Sequence, residues 1–128
     1  MKRATVSIVA FLWLFLSVPM RATAEEQSQE FNATVQGLLQ QCKALSDPQT
    51  QNGYGALYCL GYVTGAADVL LTLGLSGTAG ICGKISYEAA VQAFVNWATA
   101  HPERWTNDRL LGVTVALRET WPCNNSSK

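Results

Sequence analysis

Cys42, Cys59, Cys82 and Cys123 are the residues of this chain with the most chemistry to offer. Thiols can hold a metal, attack an electrophile or pair as disulfides. Zinc sites bring cysteines in closely spaced pairs, often joined by histidines. Here the cysteines stand far apart, and the one histidine, His101, is remote in sequence from all of them. A nucleophile needs a base held beside it. His101 is followed by Pro102 in an expected turn, no G-x-S-x-G motif occurs, and no two carboxylates share an obvious face. Asp68 lies alone in an apolar run, where an acid more often accepts hydrogen bonds from a helix end, a Tyr or a Trp than it does catalysis. No catalytic residue, metal ligand set or cofactor is therefore assigned. What remains is disulfide pairing, for which an even cysteine count in a short exported chain is the usual sign.

Export is read from the first 24 residues. Lys2 and Arg3 give a positive start, residues 6–18 are apolar apart from Ser7 and Ser17, and Pro19 ends that run. Ala22, Thr23 and Ala24 supply the small residues of a cleavage site. The run is short for a membrane span and a polar stretch follows it. No cysteine stands at the cleavage point, which argues against a lipoprotein. Residues 1–24 are thus expected to be a cleaved signal peptide, 25–30 a frayed polar lead-in, 31–123 a single domain and 124–128 a polar tail. Beyond residue 24 the chain holds six basic and nine acidic residues, a net charge of −3. That mild acidity suits cationic partners and argues against nucleic acid, which wants a basic stripe.

The elements that must position the sulfurs read as helices. Between residues 31 and 45, Val35, Leu38, Leu39, Cys42 and Leu45 recur at three- and four-residue spacing and mark one helical face. Ser46, Asp47 and Pro48 stop that helix. A second helix is expected over 54–73, apolar on more than one face and for that reason the most buried. Four glycines then punctuate residues 73–84, so this stretch is a loop carrying Cys82. Ser86 is the expected N-cap of a third helix with Ala90, Val91, Phe94, Val95 and Ala98 inward, ending near His101 and Pro102. A fourth helix, capped by Thr106 or Asn107, runs to about Thr120 and buries Leu110, Leu111, Val113 or Thr114, and Leu117. The fold class is all-α: a small disulfide-stapled bundle of about four helices with no confident strand.

Four thiols allow three connectivities, and the spacing does not choose among them. An antiparallel hairpin of the first two helices would bring Cys42 level with Cys59. A Cys82–Cys123 bridge would tie the glycine loop to the end of the chain. This pairing is the expectation. Gly61 and Gly65, four apart within the second helix, each cost roughly 1 kcal/mol relative to alanine, and close approach of a neighbouring backbone or ring is the expected compensation. A membrane-type glycine dimer is set aside because the apolar run looks short and holds Asp68.

The order Cys59-x-Gly61-Tyr62-Val63-x-Gly65-x-x-Asp68, then Ile81-Cys82, then His101-Pro102-Glu103, then Trp121-Pro122-Cys123 resembles the Rap/Tai family of immunity proteins. The resemblance spans about residues 31–123. It departs after the loop cysteine, where Gly83 and Lys84 stand in place of a frequent proline. It implies an exported, periplasmic, disulfide-held helical protein, commonly a homodimer, without catalysis of its own. The implied partner is a peptidoglycan amidase effector of a type VI secretion system, whose cleft the immunity protein occludes. No partner-binding residue is carried over from the family. From residue type alone, the candidates for a protruding surface are Leu75, Ser76, Gly77 and Thr78 in the glycine loop, and Glu103, Arg104, Trp105, Thr106 and Asn107 in the turn before the last helix. Gly61, Tyr62, Gly65, Asp68, Trp121 and Pro122 are read as structural. An acid-stress periplasmic chaperone is the rival reading, although so few acidic residues give a pH switch little leverage. No stable membrane insertion is expected after signal cleavage.

Overall fold

The computed structural model describes residues 33–77 and 79–123. The expected signal peptide, the polar lead-in, the polar tail and Thr78 lie outside the described residues. Among the described residues four helices follow in order: α1 (Val35–Lys43), α2 (Tyr54–Leu75), α3 (Tyr87–Ala100) and α4 (Arg109–Thr120). Short 3-10 turns follow α1 (Ala44–Ser46) and α3 (Pro102–Arg104). Among the described residues there is no strand, only two isolated bridges, Thr34 to Asp108 and Ile81 to Pro122.

Helix α1 starts at Val35 rather than at residue 31 because Thr34 caps it, its Oγ1 accepting from the Gly37 N–H at 3.1 Å. Its stripe Val35, Leu38, Leu39 and Cys42 is fully buried, and α2, α3 and α4 all pack around it. Five of its nine residues are buried, against five of the 22 in α2. The most buried helix is therefore α1, which corrects the expectation for α2. A helix can be sheltered on all sides only if neighbours surround it, and α1 holds that central place.

Helix α3 follows the sequence reading closely. Ser86 Oγ accepts from the Ala89 N–H at 3.2 Å, and Ala90, Val91, Phe94 and Ala98 are buried, with Val95 half-buried. Helix α4 does not. Its cap is Asp108, whose Oδ1 accepts from the N–H groups of Leu110 at 2.8 Å and Leu111 at 3.3 Å. Asn107 stands one residue before the cap, its carbonyl accepting from the Val35 N–H at 2.9 Å, while the Arg109 N–H donates to the Ala33 carbonyl at 2.9 Å. These bonds splice the starts of α1 and α4 together and set the rotation of α4. Gly112, Val113, Ala116 and Leu117 then face inward. Leu110 and Leu111, expected inside, are each about half exposed.

Two bridges close the bundle. Cys42 is bonded to Cys59 (S–S 2.07 Å) and Cys82 to Cys123 (S–S 1.97 Å). The glycine loop folds back on the end of α2, with the Ile81 N–H donating to the Leu70 carbonyl at 3.0 Å. Only glycines permit that fold-back. A Cβ on Gly80 would overlap the Leu70 carbonyl and the Gly74 backbone, and one on Gly74 would overlap the Ile81 carbonyl. The Cys82 N–H donates to the Trp121 carbonyl at 3.2 Å, and Ile81 bridges Pro122, so Trp121 and Pro122 anchor the loop from the far end of the chain.

Candidate functional site

All four sulfurs are spent in disulfides. The residues weighed for catalysis stand in ordinary surroundings. His101 caps α3, its Nδ1 2.8 Å from the Trp97 carbonyl and its ring stacked on Trp97 at 4.9 Å between centroids. A carbonyl can only accept, so Nδ1 carries the proton. Asp68 is exposed, and among the described residues its carboxylate meets no partner, so the expected hydrogen bonds from a helix end, Tyr or Trp are absent. Every described carboxylate is on the surface, and no three His, Cys, Asp or Glu side chains come together among the described residues. His101 and Trp97 do line a small pocket of about 180 Å³ with Arg104, Asn107, Leu111 and Glu119.

The two candidate contact loops differ. At the end of α2, Leu75 is 92% exposed, Ser76 and Gly77 are exposed, and Gly77 takes φ +72°. Ser76 Oγ donates to the Leu73 carbonyl at 2.8 Å and the Ile81 N–H to Leu70, so this apolar tip stands on a pinned base. In the other turn, Trp105 is half-buried, its Nε1–H donating to the Ala98 carbonyl at 2.8 Å. Trp105 is thus folded back onto the core and is not a protruding anchor, its indole N–H satisfied by a carbonyl of α3. Asn107 is half-buried and bound to α1 through its backbone, while Thr106 is exposed. Glu103 and Arg104 remain on the surface, facing each other at 3.9 Å.

A third surface was not foreseen. Helix α2 spends one stripe (Ala56, Cys59, Val63, Ala67, Leu70) on the core and leaves a second apolar stripe outside. Leu57 is 57%, Val69 60% and Leu73 40% exposed, and Leu110 of α4 stands beside them at 52%. Val69, Leu73 and Leu110, together with Gly61, Tyr62 and Gly65, border an open groove of about 690 Å³. A Cβ at Gly61 or Gly65 would meet nothing within 4 Å among the described residues, so the close neighbour expected to compensate for these glycines is not found among them. The sequence signal was present as apolar character around the whole of α2. Only the direction of the uncovered face was hidden. At 22 residues α2 is also long and apolar enough to cross a membrane, which corrects the view that the run is short. Its buried stripe and the Cys59 bond to α1 use it as a bundle helix here.

Along the edge of this face Tyr54, Tyr58 and Tyr62 form a ladder with ring centroids 6.1 and 5.9 Å apart. The Arg109 guanidinium lies 5.4 Å from the centroid of Tyr58 and 4.7 Å from that of Tyr62. This cation–π pairing ties α4 to α2.

Access separates the two staples. Cys42 and Cys59 are 2% and 0% exposed, whereas Cys82 is exposed and Cys123 half-buried. Thiol–disulfide exchange needs a thiolate to reach a sulfur. Millimolar dithiothreitol under native conditions should therefore open Cys82–Cys123 and leave Cys42–Cys59 closed, as read by alkylation and mass spectrometry. Equal labelling of all four cysteines would contradict this order.

A family model described as Rap1a immunity proteins matches residues 34–123, from the cap of α1 to the last cysteine. No curated protein and no solved structure matches the chain.

Proposed function

The chain belongs to the Rap1a immunity protein family and is an immunity protein against a secreted effector; from this premise we propose that it works in the periplasm by occluding a peptidoglycan amidase delivered by type VI secretion. The observation that carries the reading is the extent of the family match, which takes in all four helices and both disulfides. Two bridges suit an oxidising compartment beyond the cytoplasm. Occlusion needs no chemistry from the inhibitor, only a stiff scaffold and a projecting surface, and a pre-ordered surface loses less entropy on binding.

The projecting surface we assign is the tip of α2 at Leu75, Ser76 and Gly77, next to Thr78. Leu75 offers a bare apolar side chain on a base held by hydrogen bonds and by the Cys82–Cys123 bridge. Glu103 and Arg104 form a second, polar contact, and Asn107 contributes to the pocket beside them. A homodimer belongs to the same reading.

Peptidoglycan hydrolysis by a panel of amidase effectors, with and without the mature protein, tests this. The expected result is stoichiometric inhibition of one effector. Leu75→Glu should abolish inhibition while leaving the unfolding temperature unchanged, since so exposed a side chain contributes little to stability. Failure to bind or inhibit any amidase would overturn the amidase reading. The chaperone alternative is weaker, because every described carboxylate is on the surface and none is a buried acid whose protonation would open the bundle.

A further inference from the structure

We propose that the pocket between α3, α4 and the turn joining them binds a free diamino acid, a lysine-like molecule with a carboxylate at one end and a terminal ammonium at the other. The inference goes beyond the proposed function and does not rest on it. Opposite charges line the two ends of this pocket. Arg104 and Asn107 close it at the turn, the Asn107 N–H donating to the Arg104 carbonyl at 3.0 Å. Leu111, Val115 and Glu119 follow at intervals of four along α4 and so share one face. At the rise of a helix, Glu119 stands about 12 Å along the axis from Leu111, at the end away from the turn. Arg104 and Glu119 are thus kept from pairing with each other. Arg104 meets only Glu103, at 3.9 Å and with both side chains more than half exposed. Glu119 has no ion pair among the described residues.

The other polar groups of the pocket also keep bonding capacity. His101 donates from Nδ1 to the Trp97 carbonyl at 2.8 Å, which leaves its Nε2 a lone pair. The Asn107 carboxamide makes no hydrogen bond among the described residues. A simple anion would suit Arg104 and Asn107 but face Glu119, and a simple cation would suffer the reverse. A molecule carrying both charges satisfies both ends. Its carboxylate lies on Arg104 and the Asn107 amide, its α-ammonium donates to His101 Nε2, and its terminal ammonium donates to Glu119. Between them Trp97, Leu111 and Val115 give an apolar wall for the methylene stem. Length agrees. Six staggered bonds carry a lysine from carboxyl carbon to Nζ over about 7.5 Å, and a hydrogen bond of about 2.9 Å at each end brings the span to about 13 Å. Size agrees too, since about 180 Å³ is below the range of drug-sized pockets and suits one amino acid.

Titration of the mature, oxidised, isotope-labelled protein with L-lysine, followed by NMR, tests the inference. Low ionic strength is needed because salt screens exposed charges. The signals of the Trp97 indole and the Asn107 carboxamide should shift and saturate, with a Kd below about 1 mM. Norleucine lacks the terminal amine and cadaverine the carboxylate. Each should bind about fivefold more weakly than lysine, the upper end of what an exposed ion pair supplies. Glu119→Gln should erase the preference for lysine over norleucine and keep that over cadaverine, and Arg104→Gln should do the opposite. Nα-acetyl-lysine should also bind more weakly, having no α-ammonium for His101. If it binds as well as lysine, the site takes a lysine at the end of a chain and the free amino acid is overturned. Should either variant fail to fold by circular dichroism, the ligand series on the wild type decides the matter. No saturable shift up to about 20 mM lysine overturns the inference, as does equal binding of norleucine and cadaverine.

Discussion

Replacing Cys42 and Cys59 together by alanine should lower the unfolding free energy by about 3–5 kcal/mol, read as a shift in the urea midpoint. The bridge spans a sequence separation of 17 residues. By the loop-entropy model, closing a loop of that size contributes about 3 kcal/mol, and emptying two fully buried sulfur positions adds a cavity term. For a small domain with a total stability of roughly 5–15 kcal/mol, that is a large share. The double substitution is the informative one. A single replacement would leave a free thiol able to exchange with Cys82–Cys123. A loss below about 1 kcal/mol would mean that α1 and α2 hold together without their staple, and that rigidity must be sought elsewhere.

Phe94→Ala should cost about 3–5 kcal/mol, a large share of the total stability of so small a domain. Phe94 is the largest fully buried side chain, set on the inner face of α3 among the core residues of all four helices. Its loss removes the ring from its apolar surroundings and leaves a void that α1, anchored at both ends, cannot collapse into. Leu111→Ala is the natural comparison. Sequence periodicity places Leu111 inside, yet it is 52% exposed, and its truncation should cost under about 1 kcal/mol. Thermal melts of both variants would test the rotation of α4 directly. Equal losses would show that Leu111 is packed as periodicity expected.

The pattern of success and failure has a physical basis. In α1 and α3 a single apolar stripe is bounded by a capping side chain, Thr34 or Ser86, so periodicity alone points to the core. In α2 the apolar residues run round the helix, and periodicity cannot say which stripe a bundle of four will cover. In α4 the choice among Thr106, Asn107 and Asp108 as cap rests on a backbone splice to residues 33–35, more than seventy positions away. No local signal carries that. The contact loops divide for the same reason: Leu75, the last residue of α2, is left bare, whereas Trp105 turns inward and donates to the Ala98 carbonyl.

Helix content, oxidised cysteines and the inner faces of α1 and α3 were thus already written into residue order, because they depend on neighbours three or four positions apart and on composition. Which sulfurs meet, how α4 is rotated and which side of α2 stays bare depend on long-range packing. Those choices arise when four helices compete for one small core, and a core that α1 fills from the centre has no room for the second stripe of α2.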